Sequence, residues 1–423
     1  MSYWPRAARW VSDHEIWLVL LIAPLMLFPR RWSWIAFVAL GLLWLVRWKT
    51  TGRLTARTPL DWPILGILMM TLVSLYPSVD LTLSATKFYG IVLGVAAFYA
   101  MTNSLKNERA VMGAAWAMVG IGAAVALVSI AGTDWPQGKY PFGLSHLYDL
   151  LPRLIDNVPR SLRGGFHANE VGGTMAGFLP LAVALFFTGC RRMTRLSAII
   201  VVLVMGFVLL LSQSRSGVAG FTVGLLVLAV WRSRWFLLVL PATLAVTAIA
   251  VHYIGVEPIK NLFFPMPGPG GDFGTWESRL RFWGYAWNMI QDFPFTGIGL
   301  NTFPIIAATF YAIPQAEAGM PLIPHAHNLF LQVAVDLGIP GLIAFVALLV
   351  LFFLRWGQVL RRPLDKRLQI LNVGLGAAMV SYLVFNLTDA ITLGAKPGIL
   401  FWALLALTLA LARTSSSELA TTS

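Results

Sequence analysis

Residues 327–354 read HNLFLQVAVDLGIPGLIAFVALLVLFFL. Asp336 is the one formal charge in that stretch. The run exceeds the roughly 20 mostly apolar residues that carry a helix across a bilayer. Working outward, comparable runs fall at 15–29, 32–47, 62–77, 85–101, 110–131, 167–188, 196–211, 217–231, 235–253, 368–388 and 396–412. The pattern predicts an all-α polytopic membrane protein of about twelve transmembrane helices, with residues 1–423 as a single membrane domain.

Composition agrees. Of 423 residues, 58% are hydrophobic and 12% charged. A soluble domain carries about 25% charged residues, so an ordinary cytosolic enzyme is excluded. The apolar content is equally incompatible with a disordered chain. The single cysteine makes no intrachain disulfide, and no CxxC or HExxH spacing occurs, so no metal site or cofactor is expected. Trp4, Trp10 and Trp17 interrupt the first residues, and no small-residue cleavage site follows, so no cleavable signal peptide is expected.

The net charge of +13 would suggest nucleic acid in a soluble protein. Here its placement matters more, because basic residues orient membrane proteins. With a cytoplasmic N-terminus, inside segments hold 19 of the 31 basic residues and short outside loops hold 5. Both termini are thus expected in the cytoplasm. Two long loops, 132–166 and 254–326, are then expected to face the outside of the cell membrane, with acidic residues gathered on that side. Within the main loop, residues 276–291 read as a helix ended by Asp292-Phe293-Pro294. Its Leu280, Trp283 and Trp287 share one face, as in a helix at a membrane interface.

Cations on the outer side are the informative residues. Arg215 sits in Leu211-Ser212-Gln213-Ser214-Arg215-Ser216-Gly217, between two apolar runs. Its guanidinium fits phosphate oxygens, and the Ser-Gln-Ser cluster adds donors. The bland alternative is an arginine snorkelling to the interface. Arg163 precedes Gly164 and Gly165, whose backbone could cradle an anion, or simply form a loop ending in an Asn169/Glu170 cap. Arg279 and Arg281 stand on the loop helix, where a solvated face is the plain alternative.

His325 and His327 end the main loop as a span begins. Asn328, Gln332 and Asp336 follow at i, i+4 and i+8, one polar stripe on an apolar helix. Asp336 lies inside the span, where a carboxylate needs a partner or water. A histidine here can act as a base near neutral pH. A His-x-His metal pair is the other reading, disfavoured because i and i+2 at a helix start point to different faces. Spacing alone leads to an outer-face site for an anionic lipid-linked ligand.

At these residues the chain resembles the O-antigen ligase and O-antigen polymerase superfamily. The matching pieces are Gly165-Phe166-His167-Ala168-Asn169-Glu170, Leu211 to Gly217, Asp292-Phe293-Pro294 with Gly297-Ile298-Gly299, and His325-Ala326-His327-Asn328 followed by Leu337-Gly338-Ile339-Pro340-Gly341. Their order along residues 160–350 is the specific part. The resemblance implies a metal-independent, inverting glycosyltransferase of the GT-C type in the bacterial inner membrane. Its donor would be a glycan on undecaprenyl diphosphate. Its acceptor would be lipid A–core for a ligase, or a second lipid-linked glycan for a polymerase. Its remaining contacts would be membrane lipids, with no nucleic acid. Arg215 matches the family's arginine and His327 its histidine, with His325 the second candidate. Arg279 or Arg281 matches the loop arginine, and Arg163 joins the donor-binding set. His167, Asn328, Gln332 and Asp336 are supporting residues.

A transporter or flippase of lipid-linked glycans is the competing class. Such proteins show repeated halves and paired broken helices, and neither is read here. The charge count yields a direct expectation. A reporter fused after Ser423 should read cytoplasmic, and one inserted near Pro269 periplasmic. The opposite pattern would overturn the placement of every candidate residue.

Overall fold

The computed structural model describes residues 4–136, 148, 151, 167–189, 191–256, 276–311 and 323–422. Most of loop 132–166, including Arg163, lies outside that set, as do parts of loop 254–326. The described residues are almost wholly helical. Ten of their helices are long and apolar enough to cross a membrane, and Glu15–Leu27 and Asp61–Val73 are shorter apolar helices. The protein is a polytopic membrane protein, and each apolar run of the sequence falls on one of these helices.

The chain forms two compact bodies. One comprises Met1–Trp116, Tyr285–Asn372 and Ala390–Ser423, the other Ala117–Gly284 and Val373–Asp389. In the first body, helix Leu81–Ser104 packs against Glu15–Leu27 and against the helix Ile399–Thr422. Val19, Met26, Leu40, Leu93 and Ala96 form part of its core. Glu15 is buried at the start of its helix, where Arg47 pairs with it at 2.8 Å. Asn103 Nδ2 donates to the same carboxylate at 2.8 Å. A buried carboxylate is tolerated only with such partners.

In the second body, helix Ala168–Thr188 packs against both Arg192–Leu211 and Arg215–Arg232. Without a hydrophobic drive between lipid-bathed helices, close approach over small residues does the work. A Cβ on Gly220 would come within 2.6 Å of the Ser381 carbonyl oxygen, so helix Arg215–Arg232 lies against the backbone of the 373–386 segment. Ser381 Oγ in turn donates to the Ala176 carbonyl at 2.7 Å.

The helix Leu329–Leu360 is broken, within a span that carries Gly338 and Pro340. Gly338 takes φ 69° and ψ 178° within it. In a regular helix Val335 O would receive the Ile339 N–H, and Asp336 O the N–H of residue 340. Pro340 has no N–H to give. Each freed group finds a substitute in the same body. Ile298 N donates to Val335 O at 2.9 Å, and Ile339 N to Pro294 O at 2.7 Å. Ser74 Oγ donates to Asp336 O at 2.5 Å. Broken helices in transporters leave carbonyls for ions. Here Val335 O and Asp336 O are already engaged.

Gly338 is the position where this stitching demands glycine. Its φ is left-handed, and a Cβ would come within 2.6 Å of Phe295 O. Helix Gly357, by contrast, has open space where a Cβ would sit. Gly338→Ala should therefore lower the melting temperature of the purified protein in detergent, by a loss of about 1–3 kcal/mol. Gly357→Ala should be neutral or slightly stabilising. Equal melting of the two variants would contradict the account of the break.

Candidate active site

In the second body, helix Arg192–Leu211 ends and Arg215–Arg232 begins within three residues. Gln213 turns the chain with φ 47°, a left-handed conformation rare outside glycine. Ser214 caps the new helix, its Oγ accepting from Gly217 N at 3.2 Å. Ser212 Oγ donates to Leu209 O at 2.6 Å. Gln213 Nε2 donates to Tyr148 Oη at 2.6 Å and to Pro136 O at 2.9 Å. Tyr148 Oη donates onward to Leu211 O at 3.0 Å. These Gln213 and Ser212 donors build the turn, rather than standing ready for a ligand as the sequence suggested. Gln213 thereby ties the described parts of the first long loop to the turn that carries Arg215.

Arg215 is the first residue of its helix and is half-buried. A cation there adds to the positive end of the helix dipole rather than offsetting it. Arg279 lies near enough for its charge to be felt by, and to feel, Arg215 and Asp389. Burial pulls the Arg279 guanidinium below its usual range, Asp389 opposes that pull, and Arg215 adds to it. Arg279 is 8% exposed, and its Nε has no hydrogen-bond partner among the described residues. Two guanidinium groups thus gather with Asp389 at a helix N-terminus. Guanidinium groups at a helix N-terminus are chemistry suited to an anion.

Helix Trp276–Asp292 is present where the sequence placed it. It separates the two loop arginines that sequence alone left equivalent. Arg279 is buried together with Ser278 and Phe282, whereas Arg281 is exposed. Arg281 thus stands on a solvated face. Leu280 and Trp287 are also exposed, so this apolar stripe is turned outward, as a helix at a membrane interface would hold it. His167 is exposed just before helix Ala168–Thr188 and makes no side-chain cap. Asn169 and Glu170 lie inside that helix, so neither is its cap residue.

In the first body, His325 and His327 both precede the helix that starts at Leu329. The argument from helix faces against a paired role for them fails for that reason. Their ring centroids lie 4.3 Å apart, tilted by 56°. His327 has φ 51°, and its N–H donates to His325 Nδ1 at 3.1 Å. His325 Nδ1 is thereby an acceptor, which puts the proton of a neutral ring on Nε2. Strained backbone of this kind persists only where the surroundings impose it.

The polar stripe divides its work. Asn328 caps the helix, its Oδ1 accepting from Phe330 N at 2.9 Å and Leu331 N at 3.1 Å. Gln332 joins two sides: its Oε1 accepts from Ala326 N at 2.7 Å and its Nε2 donates to Asp336 Oδ1 at 2.8 Å. Asp336 is buried, in a narrow recess that Lys87 and Thr392 also line. Lys87 and Asp389 were not singled out from the sequence as site residues. The available signal was the same for both: an ionisable group within or at the end of an apolar run, which needs a partner.

The structure thus brings Arg215 and Arg279 together in one body, and His325, His327, Gln332 and Asp336 together in the other. No curated protein matches the chain. A family model described as O-antigen ligase matches residues 200–346, the segment that holds Arg215, Arg279, His325, His327 and Asp336. The match supports an enzyme that processes lipid-linked glycans, of the ligase or polymerase kind, and over that segment the chain is similar to the O-antigen ligase family.

Proposed function

We propose that the protein is an inverting glycosyltransferase, an O-antigen ligase that attaches O-antigen to lipid A–core in lipopolysaccharide biosynthesis. It takes the glycan from undecaprenyl diphosphate at the periplasmic face of the inner membrane. The observation that carries this reading is the buried Arg279 guanidinium, whose Nε has no hydrogen-bond partner among the described residues, beside Arg215 at a helix start. That is an anion site in a membrane-embedded protein. Lipid A–core is the acceptor that the family model's description, O-antigen ligase, favours.

The chemistry is a single displacement. The acceptor hydroxyl attacks the anomeric carbon as the bond from that carbon to the phosphate oxygen breaks. His327 takes the hydroxyl proton. Charge grows on the departing diphosphate, and Arg215 and Arg279 hold it there, stabilising the transition state more than the ground state. Attack from the face opposite the leaving group inverts the anomeric centre. Diphosphate leaves without an acid, so one base suffices. The mechanism calls for no metal.

The test uses purified protein in proteoliposomes, with an undecaprenyl-diphosphate glycan and each acceptor in turn. We expect transfer to lipid A–core with release of undecaprenyl diphosphate. Lengthening of the lipid-linked glycan would instead make it a polymerase, and movement across the bilayer without transfer a flippase. Arg215→Lys should lose most of the rate, because an ammonium cannot make the planar two-pronged contact. A lysine variant at normal rate would leave a snorkelling arginine.

His327→Ala should keep donor binding but lose transfer by about 10²- to 10⁴-fold, the usual contribution of a positioned base. His325→Ala should be milder, because its ring supports the His327 backbone and does not take the proton. Chelation by EDTA should change neither. Full rate in His327→Ala, or a loss with EDTA that zinc restores, would overturn the base assignment and favour a metal held by the histidine pair.

A further inference from the structure

Lys87 lies inside the span Leu81–Ser104 and has no part in the chemistry above. An ionised carboxylate within a span needs a cation or water. Lys87 is the cation that acts on Asp336, and both line one narrow recess with Gln332 and Thr392. The Lys87 ammonium donates to Thr392 Oγ1. The Asn301 backbone also bonds to the Asp336 carboxylate. From Asp336 the chain of bonds runs through Gln332 to the Ala326 N–H, between the two histidines.

The direction of those bonds depends on charge. An amide side chain has one donor end and one acceptor end, whereas an ionised carboxylate only accepts. Ionised Asp336 therefore draws the Gln332 NH2 towards itself, which leaves the Gln332 oxygen for Ala326. A protonated Asp336 can donate. The amide can then reverse and set its NH2 against the Ala326 N–H, leaving a buried donor unsatisfied. The backbone at risk is the one that holds His327 at φ 51°.

We propose that Lys87 is a positioning residue for His327: its charge keeps Asp336 an acceptor, Asp336 fixes the orientation of the Gln332 amide, and Gln332 holds the His325–His327 turn. The proposal rests on His327 being the base. Lys87 touches neither substrate nor reacting atoms in this role.

Two readouts separate this proposal from the function itself. The first is transfer kinetics in proteoliposomes. Lys87→Met and Asp336→Asn should each lower kcat about tenfold, the cost of one unsatisfied buried donor, with KM for the donor unchanged. The double variant should be no slower than either single one, because both break one path. Lys87→Arg should stay near wild type.

The second readout needs no substrate: acylation of His327 by diethyl pyrocarbonate, followed by mass spectrometry. Labelling should rise in both single variants and stay at the wild-type level in Lys87→Arg. If Lys87→Met does not accumulate, Lys87→Gln takes its place under the same expectations. Wild-type kcat and labelling in the charge-removing variant would overturn the proposal. So would a double variant slowed by the product of the two single effects. Wild-type protein that protects His327 but transfers no glycan would refute the function and leave the network standing.

Discussion

A backbone carbonyl or N–H freed inside a membrane protein must be bound again within that protein, because lipid offers no partner. The helix Leu329–Leu360 meets this constraint at Gly338. Its break frees Val335 O, Asp336 O and Ile339 N, and Ile298, Ser74 and Pro294 bind them. The exchange explains why two separate glycine- and proline-containing motifs occur in one chain. Asp292-Phe293-Pro294 with Gly297-Ile298-Gly299 is the other half of the break at Leu337-Gly338-Ile339-Pro340-Gly341. One is stitched to the other by main-chain hydrogen bonds. Rigidity at this point fixes the short helical half from Leu329 to Leu337. That half carries Gln332 and Asp336 and starts directly after the two histidines.

The second constraint is electrostatic. A buried guanidinium is costly unless an anion answers it. Asp389 acts on Arg279 as an opposing charge, and Arg215 as a like one. The positive end of the helix dipole at Arg215 adds to the local positive potential. A diphosphate bound at these arginines would bring negative charge, most of it when the sugar bond has broken. Donors placed where charge grows are suited to a charged leaving group, since their interaction strengthens in the transition state.

Much of this was legible in the sequence, and the parts that were not have identifiable reasons. The spans could be read because apolar runs of spanning length admit one outcome in a bilayer. The helix at 276–292 could be read from its stop signal. Which of Arg279 and Arg281 is buried could not, because residues two apart lie on different faces and only tertiary packing decides which face turns inward. The break at Gly338 was hidden inside a continuous apolar run, where glycine and proline also fit a mere kink. Lys87 and Asp389 each looked like an isolated charge, since their partners lie far away in sequence. The histidine pair was misjudged by treating the residues before Leu329 as already helical. Arg163 falls outside the described residues, so its anion-cradling role stays an expectation of the sequence.

The central claim is that Arg279 and Arg215 form a diphosphate site. The most direct measurement is isothermal titration of undecaprenyl diphosphate into detergent-purified protein, compared with Arg279→Met, which fills a similar volume without charge. The account predicts saturable binding to wild type, weakened at least about tenfold in the variant through loss of charge-assisted bonds, and no competition by uncharged undecaprenol. Equal affinity of both proteins for the diphosphate, or equal competition by undecaprenol, would contradict it.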